Sequence, residues 1–137
     1  MAKTIYFIKI QGSTHPVFFS NWAIKNLEEK FDLPLGKLAD KLLNVGELTT
    51  GEVLDFIAEA MQDGYSRQGK TFDLDQRALS DLFENIPALY KTYQQVFEIF
   101  AKDVLSPVLD AVEVEKTKLE AEAKKEEGKK KQASRKS

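Results

Sequence analysis

The spacing of the apolar residues changes once along this 137-residue chain, and that change limits the possible folds more than any other feature. Between Thr4 and Gln11, β-branched and aromatic residues alternate, with Tyr6, Ile8 and Ile10 on one face and Ile5, Phe7 and Lys9 on the other. A period of two is the mark of a strand with one buried face. Gly12-Ser13-Thr14-His15 carries turn chemistry, and Pro16-Val17-Phe18-Phe19 supplies a second short strand. Its proline stands at the start, where a missing N–H is tolerated. A lone two-stranded hairpin is marginal in water, so its apolar face must pack on helices or on another subunit's strands.

From Ser20 onward the apolar residues recur at three and four. Ser20 or Asn21 can cap a first helix with Ile24, Leu27 and Phe31 on its dry face and Lys25, Glu28, Glu29 and Lys30 on its wet face. Pro34 suits a helix's first turn, and Leu35, Leu38, Ala39, Leu42 and Leu43 form a second stripe that closes over Asn44 to Leu48. Thr49-Thr50-Gly51-Glu52 has capping-box spacing ahead of Val53, Leu54, Ile57, Ala58 and Met61, with Gly64 as the expected stop. Asp73-Leu74-Asp75-Gln76 repeats the capping pattern before Leu79, Leu82 and Phe83, predicting a fourth helix that ends near Asn85. A fifth begins at Pro87 and carries Leu89, Tyr90, Tyr93, Val96, Phe97, Phe100 and Val104 until Pro107.

The expected fold class is therefore α+β and mostly α: an N-terminal two-stranded β-hairpin, about five helices, and a charged C-terminal tail expected to be largely disordered. One domain is expected over residues 1–112 and the tail over 113–137. Val108, Leu109 and Val112 can add a turn or two, but from Glu115 the chain is Lys, Glu and Ala, with Leu119 its only large apolar residue.

The net charge of −2 conceals a division. Residues 115–137 hold nine Lys or Arg against five Glu, so the tail is +4 and the body −6. A basic tail suits nucleic acid, but its glutamates dilute the field that phosphate binding needs and the acidic body repels it. A small regulatory or nucleic-acid-associated module using the lysine-rich tail is the alternative reading. No apolar run approaches the roughly 20 residues of a membrane span, and the first residues lead into alternation rather than a signal-peptide core, so a cytoplasmic protein is expected.

The residue types that carry chemistry are scarce. The chain has no cysteine and one histidine, His15, expected in the exposed hairpin turn. Metal ligation and nucleophilic catalysis thus lack their usual groups, and the scattered glycines form no phosphate loop. Asp73, Asp75 and Gln76 lack the glycine and terminal glutamate of a calcium loop and read as caps. The expectation is a non-enzyme with neither metal nor cofactor. Aromatic residues remain as candidates for contact with another chain: Trp22, at the junction of hairpin and helix, and Tyr90, Tyr93, Phe97 and Phe100 on the fifth helix. Each has core packing as its first reading and partner binding as its second.

The hairpin, the Trp22-Ala23 junction, the Leu27-Glu28 pair and the stretch NLEEKFDLPLGKLADKLL together resemble the tail assembly chaperones of long-tailed bacteriophages, over residues 4–64 best. The later half is similar only in being helical and ending in a charged tail. The resemblance implies a protein of the bacterial host cytoplasm that holds the tape measure protein and helps the major tail tube protein polymerise around it. It implies absence from the finished virion. It also raises the expectation of self-association and of a frameshifted longer form, for which Lys129-Lys130-Lys131 marks an adenine-rich candidate site.

Overall fold

The computed structural model describes residues 4–108. Within them lie strands β1 (Tyr6–Ile10) and β2 (Ser13–Val17), then helices α1 (Asn21–Phe31), α2 (Leu35–Leu43), α3 (Thr50–Arg67), α4 (Gln76–Ser80) and α5 (Ile86–Phe100). A short 3₁₀ turn, Val45–Glu47, joins α2 to α3, and a π turn, Ala101–Leu105, extends α5. The α+β architecture of hairpin and five helices matches the sequence expectation. The expected tail, 113–137, and the last four residues of the expected domain, 109–112, lie outside the described residues.

The hairpin is tighter than its sequence suggests. β1 and β2 pair antiparallel from Tyr6 opposite Val17 to Ile10 opposite Ser13, so the turn is Gln11-Gly12 alone. Both turn residues have positive φ, 50° and 81°, the backbone that matches the twist of a two-residue hairpin. His15 therefore belongs to β2 rather than to the turn, and Pro16 sits inside the strand, opposite Phe7. Counting from the turn, this pair is one that exchanges no hydrogen bonds, so proline's missing N–H faces away from the ladder. Ile8, Ile10 and Val17 are buried while Phe7 and Lys9 are exposed, as the alternation predicts.

Helix α3 is the hub. A capping box holds its start: Thr49 Oγ1 accepts from the Glu52 N–H at 3.1 Å, and Glu52 Oε1 accepts from the Thr49 N–H at 2.9 Å. Lys41 Nζ lies 2.8 Å from Glu52 Oε2 and, with the Thr49 N–H, holds that carboxyl below its ordinary range. Phe56, from the middle of α3, packs its ring against Phe19, Tyr93 and Phe100, tying the hairpin exit, α3 and α5 into one core. Tyr93 donates its hydroxyl to the Leu42 carbonyl, and burial pushes its phenol well above the usual value. The buried Glu59 carboxylate accepts from Asn26 Nδ2 at 2.8 Å and faces Lys30 Nζ at 3.6 Å, joining α3 to α1.

Gly64 does not stop α3, which runs on to Arg67. The chain between β2 and α1 lies directly on this turn: the Phe18 N–H donates to the Ala60 carbonyl at 3.0 Å, and the Ser20 N–H to Asp63 Oδ2 at 2.7 Å. A Cβ on Gly64 would fall 2.7 Å from the Val17 nitrogen and closer still to the Pro16 carbonyl. Glycine is present because backbone meets backbone here, a contact that outweighs its low helix propensity. Helix α4 is also shorter than expected, ending at Ser80 rather than near Asn85. Asn85 instead caps α5, accepting from the Ala88 N–H at 2.9 Å, with a proline in the first turn.

Candidate functional site

The aromatic candidates fall into two groups. Tyr93 and Phe100 are buried members of the Phe56 cluster and belong to the core. Tyr90 and Phe97 are half-buried, and Trp22 is 65% exposed with Lys25 Nζ 4.3 Å from its ring centroid. The core reading of Trp22 is corrected by the face that α1 buries, which is Ala23, Leu27 and Phe31, at steps of four. Ile24 is only half-buried, and Trp22, about 100° round the helix from Ala23, points to solvent beside Lys25.

His15 is half-buried, not an exposed turn residue. Its Nδ1 lies 2.6 Å from the Tyr65 hydroxyl, and burial lowers its pKa from the ordinary value. Asp75 is a cap, accepting from the Ala78 N–H at 2.7 Å. Among the described residues no group of three His, Asp or Glu side chains is disposed to hold a metal ion, and no helix is long and apolar enough to cross a membrane.

The feature best suited to engage another molecule is a groove between α2 and the far end of α5. Helix α2 is apolar on two flanks. Leu38 and Leu42 are buried, whereas Leu35, Ala39 and Leu43, also at steps of four, line one wall of the groove. Phe97, Ala101, Leu105 and Val108 form the other wall. The groove holds about 720 Å³ and carries one charged residue, Asp40, near its rim. A second hollow of about 250 Å³, lined by Val45, Tyr90, Tyr93 and Gln94, shares Leu43 and Phe97 with the first and extends the apolar surface along α5.

The π turn contributes to this geometry. In an α-helix a step of four residues over-rotates by about 40°, so a stripe at steps of four drifts round the helix. The wider turn at Ala101–Leu105 offsets that drift. Val96, Phe100 and Val104 then stay in the core while Phe97, Ala101 and Leu105 stay in the groove.

Scans against protein-family models, curated proteins and solved structures give no match. The groove therefore has to be interpreted from its own chemistry. Leu43 is 67% exposed and Val108 40% exposed, and side chains of that kind cluster on a monomer's surface chiefly where another chain docks. Two parallel apolar ridges with a trough between them match a helix that presents apolar residues at i, i+3, i+4 and i+7. The sequence shows most of both walls, Leu35, Ala39 and Leu43 in the α2 stripe and Phe97 in the α5 stripe, but for the α5 stripe partner binding is only the second reading after core packing, and Leu105 belongs to no predicted stripe. Of the five aromatic candidates only Phe97 lines this groove, and Tyr90 and Tyr93 join it through the adjoining hollow, Tyr93 from its place in the core.

Proposed function

We propose that this chain is a non-enzymatic assembly chaperone of the phage tail type. It acts in the bacterial host cytoplasm by holding apolar helical segments of the tape measure protein in the α2/α5 groove. The observation that carries the reading is that groove: an open trough between two apolar walls with Asp40 as the one charged residue in its lining. An apolar helix in such a trough hides its sticky face while bound. A contact of moderate size and few polar anchors can be released when tail tube subunits take over. The family resemblance over residues 4–64 supplies the identities of the client and of the tail tube protein, and the inference that the chaperone leaves before the virion is complete.

The test is coexpression with the long helical product of the neighbouring tape measure gene. The soluble fraction of that client should rise severalfold with this chain and fall back with Leu43→Asp or Leu105→Asp. Both changes are on the groove walls and leave the Phe56 cluster intact. A client equally insoluble with and without this chain would end the chaperone reading. A client rescued equally well by the groove variants would move the binding surface elsewhere.

A further inference from the structure

The two edges of the hairpin end differently. The edge of β2 lies on α3, where the Pro16 carbonyl sits against Gly64 and the Phe18 N–H donates to the Ala60 carbonyl at 3.0 Å. The edge of β1 is open: among the described residues the sheet consists of these two strands alone. The alternation that starts at the turn points the N–H and C=O of Phe7 and Lys9 away from β2. Among the described residues these outward groups meet no hydrogen-bond partner.

This open edge runs beside α5, in the opposite direction. At the turn end, Lys9 and Ile10 share a hollow of about 290 Å³ with Ala88, Lys91, Thr92 and Gln95. At the other end the Tyr6 hydroxyl donates to Asp103 Oδ1 at 2.9 Å. A row of outward N–H and C=O groups at strand spacing matches another extended backbone, which adds to the sheet as a new strand. A helix has already paired its own backbone groups, so the occupant of this edge differs in kind from that of the α2/α5 groove.

Side chains narrow the choice. Phe7, 55% exposed, and Lys9 stand on the outer face of β1. On an antiparallel third strand, the residue opposite Lys9 comes two positions before the residue opposite Phe7. Directly opposed residues stabilise a sheet when lysine meets a carboxylate and when an aromatic ring meets a β-branched or aromatic side chain. Lys91 adds a second positive charge at the hollow, and no carboxylate lines it. Asp103 is engaged by Tyr6, and Glu98 of α5 lies outside the lining. A second copy of this chain fits badly, because residues 4–19 contain no Asp or Glu and its β1 would bring another Lys9 to a site that already has two lysines.

We propose that the outer edge of β1 takes an extended acidic segment of another protein as an antiparallel third strand. Its residues run in the order carboxylate, any residue, then β-branched or aromatic residue, opposite Lys9, Ile8 and Phe7. This gives the chain a second grip, for a strand, that does not depend on the groove or on the identity of the helical client.

The test uses the full chain with no client, so its failure is separate from that of the coexpression experiment. Selection of a displayed random octapeptide library on the immobilised chain should enrich sequences with Asp or Glu two positions before Val, Ile, Phe or Tyr. The most enriched peptide, synthesised with capped ends, should protect the Phe7 and Lys9 amides from exchange and leave residues 35–43 and 97–108 unchanged. Lys9→Glu, a change at an exposed side chain, should weaken its binding at least tenfold with an unchanged circular dichroism melt. Phe7→Pro, which removes an outward N–H without touching the ladder to β2, should weaken it as much. A selection that enriches no such order, a peptide indifferent to Lys9→Glu, or protection confined to the α2/α5 groove overturns the proposal. If the chain alone sediments as a dimer that Phe7→Pro dissociates, a second copy is the occupant and the proposal is wrong.

Discussion

Gly64→Ala separates a close-approach glycine from an ordinary helical one, because the two predict opposite signs. In an open helix, alanine in place of glycine stabilises by about 1 kcal/mol. At Gly64 the new methyl group would meet the Pro16 carbonyl and the Val17 nitrogen, 2.7 Å from the latter, and both belong to backbone that no side-chain rotation can move aside. Relief requires α3 to back away from β2, stretching the Phe18-to-Ala60 and Ser20-to-Asp63 hydrogen bonds that hold the same turn. Overpacking against fixed groups costs about 3 kcal/mol. Offset by the gain in helix propensity, the net loss is about 2 kcal/mol, or roughly 10 °C in Tm for a domain of this size. Gly36→Ala is the control, since nothing lies within 4 Å of its added methyl, and it should be neutral or stabilising. Urea and thermal melts of the three proteins decide the matter. A Gly64→Ala variant as stable as Gly36→Ala would refute the backbone-contact argument.

Tyr93→Phe removes the donor to the Leu42 carbonyl in a buried setting and should cost about 1–2 kcal/mol in urea titration, with the fold retained. His15 has a lowered pKa in the folded chain, so the unfolded chain binds its proton more readily. Its contribution is present above the unfolded value of about 6.5 and is lost as pH falls below it, and a His15→Gln variant should lack that part of the stability–pH slope between pH 7 and 5. Trp22 is the chain's single tryptophan and is 65% exposed, so its fluorescence should be red-shifted and readily quenched by iodide in the folded state. Trp22→Ala should change stability by less than about 1 kcal/mol, the scale of its exposed contact with Lys25.

Local signals were legible in the sequence and tertiary ones were not. The Thr49–Glu52 box and the proline in the first turn of α5 are written in neighbouring residues, and both stand where the pattern put them. The hairpin turn was misplaced because Gln11 adopts a positive φ that its residue type does not announce, while Ser13 and Thr14 resemble turn residues yet pair with Ile10 and Lys9. Gly64 looked like a stop because only the folded chain reveals that Pro16 lies against it. Trp22 was drawn toward the core by its size, but α1 buries the stripe beginning at Ala23, one residue and about 100° away. The groove was hidden for a related reason. Leu35, Ala39 and Leu43 are as apolar as Leu38 and Leu42, and a stripe does not say how many neighbours the fold will supply to cover it.

The central claim is that the α2/α5 groove is where this chain holds other chains. The most direct test is amide hydrogen exchange on the full chain, free and coexpressed with its helical client. Residues 35–43 and 97–108 should gain protection in the complex while the exposed amides around Trp22 and on the outer edge of β1 stay unchanged. Protection confined to the hairpin edge or to the start of α1, with the groove amides exchanging as before, would contradict the account.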